Sequence, residues 1–207
     1  MFWINLCGLL VGAYAYSQVN IKANVKEYKP VCLIPSEEVA KTESKELCQI
    51  TKSIKSFCPK LEKRQAIRYA SIIHRESEEY GYDWRLIVAI MKTESNFDRK
   101  AKSHKGAVGL MQLMPKTAKW LSPKLELEYS GVGSLYNPEY NIKLGVHYLN
   151  MMQSKFGDLD KALVAYNKGP RKLMRELDNG GKPESNFLEK VKEYYSDLKN
   201  DVHDYPA

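Results

Sequence analysis

Asp83-Trp84-Arg85-Leu86-Ile87-Val88-Ala89-Ile90-Met91-Lys92-Thr93-Glu94-Ser95 is the stretch that decides the fold of this chain. Leu86, Ile90 and Glu94 recur every fourth residue, and Ile87 and Met91 flank that line. This is the spacing of one helix face. A carboxylate on that face points at other protein rather than at water. Losing water disfavours the charged form and raises the pKa. The helix reads as stopping just after Glu94, so the negative end of its dipole acts in the same direction. A carboxylic acid that keeps its proton near neutral pH is able to protonate a leaving oxygen. Taken alone, such a Glu is more often an ion-pair partner or a helix cap. The neighbouring residues shift that balance.

On either side the signals are helical. Ala66, Ala70, Ile73, Ser77 and Tyr80 form one stripe, and Gly81 is the expected stop. His74 flanks that stripe and reads as a core or boundary histidine. Pro115 suits the first turn of a helix running through Lys119-Trp120-Leu121. Residues 122–138, with Pro123, Gly131, Gly133 and Pro138, read as a loop. Asn141 is the expected cap of the next helix, whose stripe is Ile142, Gly145, Leu149, Met152 and Phe156, with Gly157 as its stop. Gly145 on that stripe implies close backbone approach. Asp158 or Asp160 caps a helix to Asn167, and a last helix covers about Ser185 to Leu198. No run alternates as a strand does, so the expected class is all-α.

Three short motifs carry the functional reading. The first is Glu94-Ser95-Asn96-Phe97. The second lies in Ser103-His104-Lys105-Gly106-Ala107-Val108-Gly109-Leu110-Met111-Gln112-Leu113-Met114-Pro115, and the third is Ala165-Tyr166-Asn167-Lys168-Gly169-Pro170. In this order and at these separations they resemble the signatures of the soluble lytic transglycosylases, glycoside hydrolase family 23. Motifs gain weight from such context. The likeness runs from about residue 61 to about residue 199. It implies a lysozyme-like, goose-type helical domain with a cleft, and an enzyme that cuts peptidoglycan. The family pattern has a Tyr in the C-terminal helix where this chain has Phe187.

The resemblance also implies the chemistry. Glu94 is the catalytic acid and base. It protonates the oxygen between N-acetylmuramic acid and N-acetylglucosamine, then deprotonates the muramoyl 6-hydroxyl, which closes on the anomeric carbon. The products carry 1,6-anhydromuramoyl ends. Most glycosidases need two carboxylates, but a substrate that supplies its own nucleophile needs only one acid. Asp98 is the other nearby carboxyl and reads as a turn cap. The implied substrate-binding residues are Ser95, Ser103, Gln112, Met114, Tyr166 and Asn167. Gln112 and Ser103 supply hydrogen bonds to sugar substituents, and Met114 and Tyr166 supply apolar floor. Tyr166 or Asn167 is placed to orient the acid by a hydrogen bond. Ser95 reads equally well as a residue that satisfies helix-end backbone groups. Two other classes compete with this one: a lysozyme-type muramidase, in which water replaces the 6-hydroxyl, and an idle wall-binding scaffold module.

Composition bounds the rest. The chain has 207 residues, 43% of them hydrophobic and 28% charged, with a net charge of +7. That fits one domain with a core of its own plus short extensions. A basic protein is drawn to polyanions. Peptidoglycan is one such partner, and no nucleic-acid motif supports the other. No His or Cys spacing indicates a metal, and no cofactor is implied. Met1 to Ala15 has no charged side chain and ends Ala13-Tyr14-Ala15, the small-x-small form of a signal peptidase site. Export to the periplasm or another extracytoplasmic space follows, with an uncleaved anchor as the other reading of that segment. Residues 16–60 read as an N-terminal extension holding one weak amphipathic helix, 61–199 as the catalytic domain, and 200–207 as a tail.

Cys7 leaves with the signal. Cys32, Cys48 and Cys58 then allow one disulfide at most. If residues 37–57 are helical, Cys48 and Cys58 lie about 15 Å apart, at a rise of roughly 1.5 Å per residue, too far to pair. A bond through Cys32 and three free thiols both remain open. The sequence does not separate general wall turnover from opening the wall for an envelope machine such as a secretion system or pilus.

Overall fold

The computed structural model describes residues 37–200, with side chains from residue 41 onward. The expected signal segment 1–15, Cys7, Cys32 and the residues after Asn200 lie outside them. The described residues form α1 (Glu37–Phe57), α2 (Lys63–Tyr80), α3 (Trp84–Ser95), α4 (Pro115–Leu121), α5 (Pro138–Phe156), α6 (Leu159–Lys168), α7 (Pro170–Asp178) and α8 (Asn186–Asn200). They contain no strand, only isolated antiparallel pairings of Val108 with Lys102 and Leu113. The all-α expectation holds. No described helix is long and apolar enough to cross a membrane.

Helix α3 is the centre of the core. Leu86 through Met91 are all buried, so the helix is enclosed all round rather than on one face. Helices apolar on every side occupy this position. Each of Ile87, Ile90 and Met91 is fully buried, and each such burial stabilises the fold by roughly 1.5–3 kcal/mol. Asp83 starts the helix by accepting from the Arg85 amide at 2.9 Å. The helix ends where Asn96 turns left-handed at φ 49° and Phe97 follows at φ 63°. Two non-glycine residues in that region cost roughly 1–2 kcal/mol each. The Phe97 ring is buried in the core cluster, which offsets part of that strain.

Helix α1 joins the same core, since Ile50 and Ile54 are fully buried in it. Residue 61 therefore marks no break in packing. Among the described residues Cys48 and Cys58 form no disulfide. Helix α2 stops at Gly81, at φ 68°, with the Tyr82 amide donating to Ser77 O at 2.9 Å. This six-to-one closure is the usual left-handed helix stop. Residues 122–138 hold two short 3-10 turns, Ser122–Leu125 and Val132–Tyr136.

Helix α5 begins one turn earlier than its sequence suggests. Asn137, not Asn141, is the cap, and its side chain accepts from the Glu139 amide at 3.0 Å. Pro138 fixes the first helical φ directly after it, which selects this cap. Asn141 is fully buried and has another task, described below. Helix α7 is also additional to the sequence reading. It is short and starts with Pro170, and its stripe is only Leu173, buried, and Leu177, partly buried one turn on, too brief a repeat to stand out in sequence.

Candidate active site

Between α3 and α4 the chain forms a loop, residues 96–114, with a small apolar cluster of its own. Val108, Leu113, Ala118, Leu121, Leu135 and Leu144 are buried together there. Side chains from three helices hold this loop. Asn141 of α5 donates to Val108 O at 2.9 Å and to Leu135 O at 3.0 Å, and accepts from the Met111 amide at 2.7 Å. Ser95 of α3 donates to Leu110 O at 2.8 Å and lies 3.1 Å from Met91 O. Tyr166 of α6 donates to Met111 O at 2.7 Å. Buried backbone groups need such partners, and each bond adds about 1 kcal/mol.

Two glycines make the approach possible. A Cβ on Gly109, at φ 85°, would overlap the Asn141 amide and Leu135 O, and a Cβ on Gly145 would overlap the Met111 sulfur. The expected close approach at Gly145 is thus the packing of α5 on Met111.

The fixed loop and the helix ends enclose a cleft of about 510 Å³. Glu94 stands at its floor, on the last turn of α3. Its carboxyl keeps a narrow opening to the cleft and is otherwise surrounded by protein. Burial pushes its pKa up to about 8. No hydrogen bond or ion pair reaches the carboxyl among the described residues, so nothing counters the loss of water. At neutral pH the group holds its proton.

Ser103, Gln112, Met114, Tyr166 and Asn167 all line this cleft. Their side chains are used differently from the expected pattern. Both hydrogens of the Gln112 amide go to backbone, with Nε2 lying 3.1 Å from Ala101 O and 2.9 Å from Gly109 O. Only its oxygen remains for a ligand. Gln112 itself sits at φ 47°, a turn conformation that these bonds maintain. Ser103 Oγ accepts from the Ala107 amide at 3.0 Å. Ser95 is absent from the lining, and its hydroxyl donates to Leu110 O. The Tyr166 hydroxyl serves Met111 rather than Glu94. Burial, together with the nearby Glu94 charge, raises the Tyr166 pKa well above the usual phenol range. Met114 and Asn167 are exposed at the rim.

Phe187 is not on the cleft wall. Its ring stacks behind Tyr166, with centroids 6.4 Å apart and planes at 10°. Tyr148 packs on the other side of Tyr166 at 5.3 Å and does line the cleft. Sequence reading missed Tyr148, although it follows Leu144 and Gly145 on the α5 stripe at helical spacing. It also missed Lys105, Thr117, Lys168 and Lys172, which line the cleft as well. Asp98 accepts from the Lys100 amide at 2.8 Å and lines a separate hollow with Arg99 and Lys100. Glu94 is therefore the one carboxyl lining the cleft among the described residues.

One described group has donors spaced as metal ligands are, Glu46 of α1 with His74 and Glu78 of α2. None of the three lines the cleft. His74 Nε2 and Glu46 Oε2 lie 3.0 Å apart and already satisfy each other.

Comparison with known proteins agrees with this arrangement. The chain is 36% identical over 109 residues to membrane-bound lytic murein transglycosylase F of Desulfosudis oleivorans, covering 49% of this chain and 22% of that protein. It is 36% identical over 129 residues to membrane-bound lytic murein transglycosylase C of Edwardsiella ictaluri, covering 54% of this chain and 34% of that one. The chain thus spans a third or less of the length of these relatives. Among solved structures, an inactive mutant of the lytic transglycosylase Slt of Pseudomonas aeruginosa matches with a TM-score of 0.58 and 30% identity, over 64% of this chain and 24% of its own. The 70-kDa soluble lytic transglycosylase of Escherichia coli shares the fold, with a TM-score of 0.60 at 23% identity, over 80% of this chain and 30% of its own. A family model for the transglycosylase SLT domain matches residues 71–188. This chain belongs to the transglycosylase SLT domain family.

Proposed function

We propose that this chain is a peptidoglycan lytic transglycosylase that cuts the β-1,4 bond between N-acetylmuramic acid and N-acetylglucosamine. One observation carries the reading: Glu94 is the single carboxyl in the cleft lining, and burial keeps it protonated near neutral pH. Protonated Glu94 gives its proton to the bridging oxygen as the bond from that oxygen to the anomeric carbon breaks. The muramoyl 6-hydroxyl oxygen then bonds to the same carbon, and its proton returns to Glu94. Water is neither consumed nor released, so one group serves as acid and then as base. A two-carboxylate hydrolase needs a partner acid in the cleft, and Asp98 faces a different hollow.

The Gln112 oxygen, Ser103 and Asn167 offer polar contacts to sugar substituents, and Met114, Tyr148 and Tyr166 offer ring surface. The substrate sets the place of action, the cell envelope. A basic chain with an apolar, uncharged start fits export to that place. The test is mass spectrometry of fragments released from purified peptidoglycan. Anhydro ends weigh about 18 Da less than the reducing ends a hydrolase leaves. Reducing muramic ends alone would assign the chain to the muramidases. No release at all would leave the scaffold reading.

A further inference from the structure

Three lysines line the cleft, Lys105 from the loop of residues 96–114, Lys168 from the end of α6 and Lys172 from α7. Against them stands one carboxyl, Glu94. The lysines do not serve that carboxyl, since no cation acts on Glu94 to hold its pKa down. An ammonium close to it would lower the pKa. The lysines' own partners differ. Lys168 is engaged within the protein, 3.1 Å from Glu176 and donating to Glu184 O at 2.8 Å. Lys105 and Lys172 are exposed and have no ion-pair or hydrogen-bond partner among the described residues. Two unpaired ammoniums lining one cleft give it a positive bias, and clefts lined by one sign of charge concentrate the opposite ions.

The amino-sugar backbone offers these lysines no charge. The charge on a glycan strand is carried by the muramoyl lactyl substituent, as its own carboxylate where that is bare and as peptide carboxylates where it bears a stem. Resting on the transglycosylase reading above, we propose that Lys105 and Lys172 make this enzyme select strands whose muramoyl substituents are anionic. The two lysines recognise carboxylate on a strand that lies in the cleft they share with Glu94.

Steady-state kinetics on three preparations test this: peptide-bearing strands, strands stripped of peptide by an amidase so that the lactyl carboxyl is free, and strands with all carboxyls converted to amides. The wild type should favour a carboxylate-bearing preparation over the amide form by roughly 3- to 10-fold in kcat/KM, mainly through KM, as expected for two exposed charge contacts. That preference should shrink as salt rises from about 0.01 M to 0.15 M, where the screening length falls from about 30 Å to 8 Å. The double variant K105Q/K172Q should lose the preference, and K105R/K172R should retain it. Preference for the peptide-bearing form alone identifies the stem as the anion, and preference for the stripped form alone identifies the lactyl carboxylate. Equal cutting of all three preparations by the wild type, or an undiminished preference in K105Q/K172Q, overturns the inference and leaves the transglycosylase reading standing. Failure to cut any of them defeats that reading itself.

Discussion

The Tyr166 hydroxyl donates to the Met111 carbonyl at 2.7 Å, which ties the end of α6 to the loop carrying Gln112. The same ring lies against Tyr148 and Phe187 and close enough to Glu94 to feel its charge. Tyr166 is thus a strut of the cleft as well as part of its surface. Tyr166→Phe keeps the ring and leaves the Met111 carbonyl short of a partner, at a cost of about 1–3 kcal/mol. In a chain of this size that lowers the melting temperature by roughly 2–4 °C per kcal/mol. The pH at which activity falls should stay where it is in the wild type. A displacement of that limb by a full pH unit would mean that the hydroxyl bonds Glu94 in the working enzyme.

Glu94→Gln should remove wall-cutting activity by roughly 10²- to 10⁴-fold or more, as loss of the proton donor does. It should also stabilise the fold. The folded pKa of about 8 lies above the ordinary carboxyl value of 4.5, so the folded chain binds more protons than the unfolded one between those two pH values. Stability therefore falls as pH rises from about 4.5 to 8 and levels off beyond. The melting temperature of Glu94→Gln should exceed that of the wild type at pH 8.5 and approach it at pH 4.5. Equal melting curves at both pH values would show that the carboxyl is not desolvated.

Activity of the wild type should fall as pH rises through about 8, because the acid must enter the reaction protonated. The free-enzyme profile of kcat/KM measures this limb directly. A descending limb below pH 6 would place the proton donor elsewhere.

Gln112→Ala should cost stability as well as activity. It deletes two hydrogen bonds to Ala101 O and Gly109 O and leaves alanine at a φ of 47°. Each lost bond is worth about 1 kcal/mol, while the left-handed backbone that Gln112 already bears stays unrelieved in alanine. Gln112→Gly loses the same bonds without that strain and should melt higher than the alanine variant. Thermal melts of the two proteins separate the contributions.

Gly145→Ala tests how tightly the loop is held. A methyl group there overlaps the Met111 side chain, and overpacking of this kind costs roughly 1–3 kcal/mol. Met111 is the residue that both Tyr166 and Asn141 anchor, so activity should fall along with the melting temperature. An unchanged melting curve would show that α5 and the loop part easily.

The identity of the helices and of the acid was legible in the sequence because both are written locally. Helix periodicity, Gly81 and Gly157 as stops, Pro115 as a start and Glu94 at the end of an apolar run all lie within a turn or two of the feature they specify. The three motifs also named most of the cleft lining. What each side chain does there was settled only by residues far along the chain. Gln112 read as a ligand contact, yet both its amide hydrogens go to backbone carbonyls of the loop, and of the two readings open for Ser95 the hydrogen bond to backbone is the one the structure shows. Asn141 read as a cap, but Pro138 moved the helix start and left Asn141 buried among three backbone groups. Phe187 stands where the family pattern has a Tyr, and its ring backs Tyr166. Lys105 and Lys172, unremarkable in a basic sequence, face one groove because α6, α7 and the loop meet there. A hydrogen bond or a shared cleft depends on distance in space, and separations of tens of residues leave no periodic trace from which it can be read.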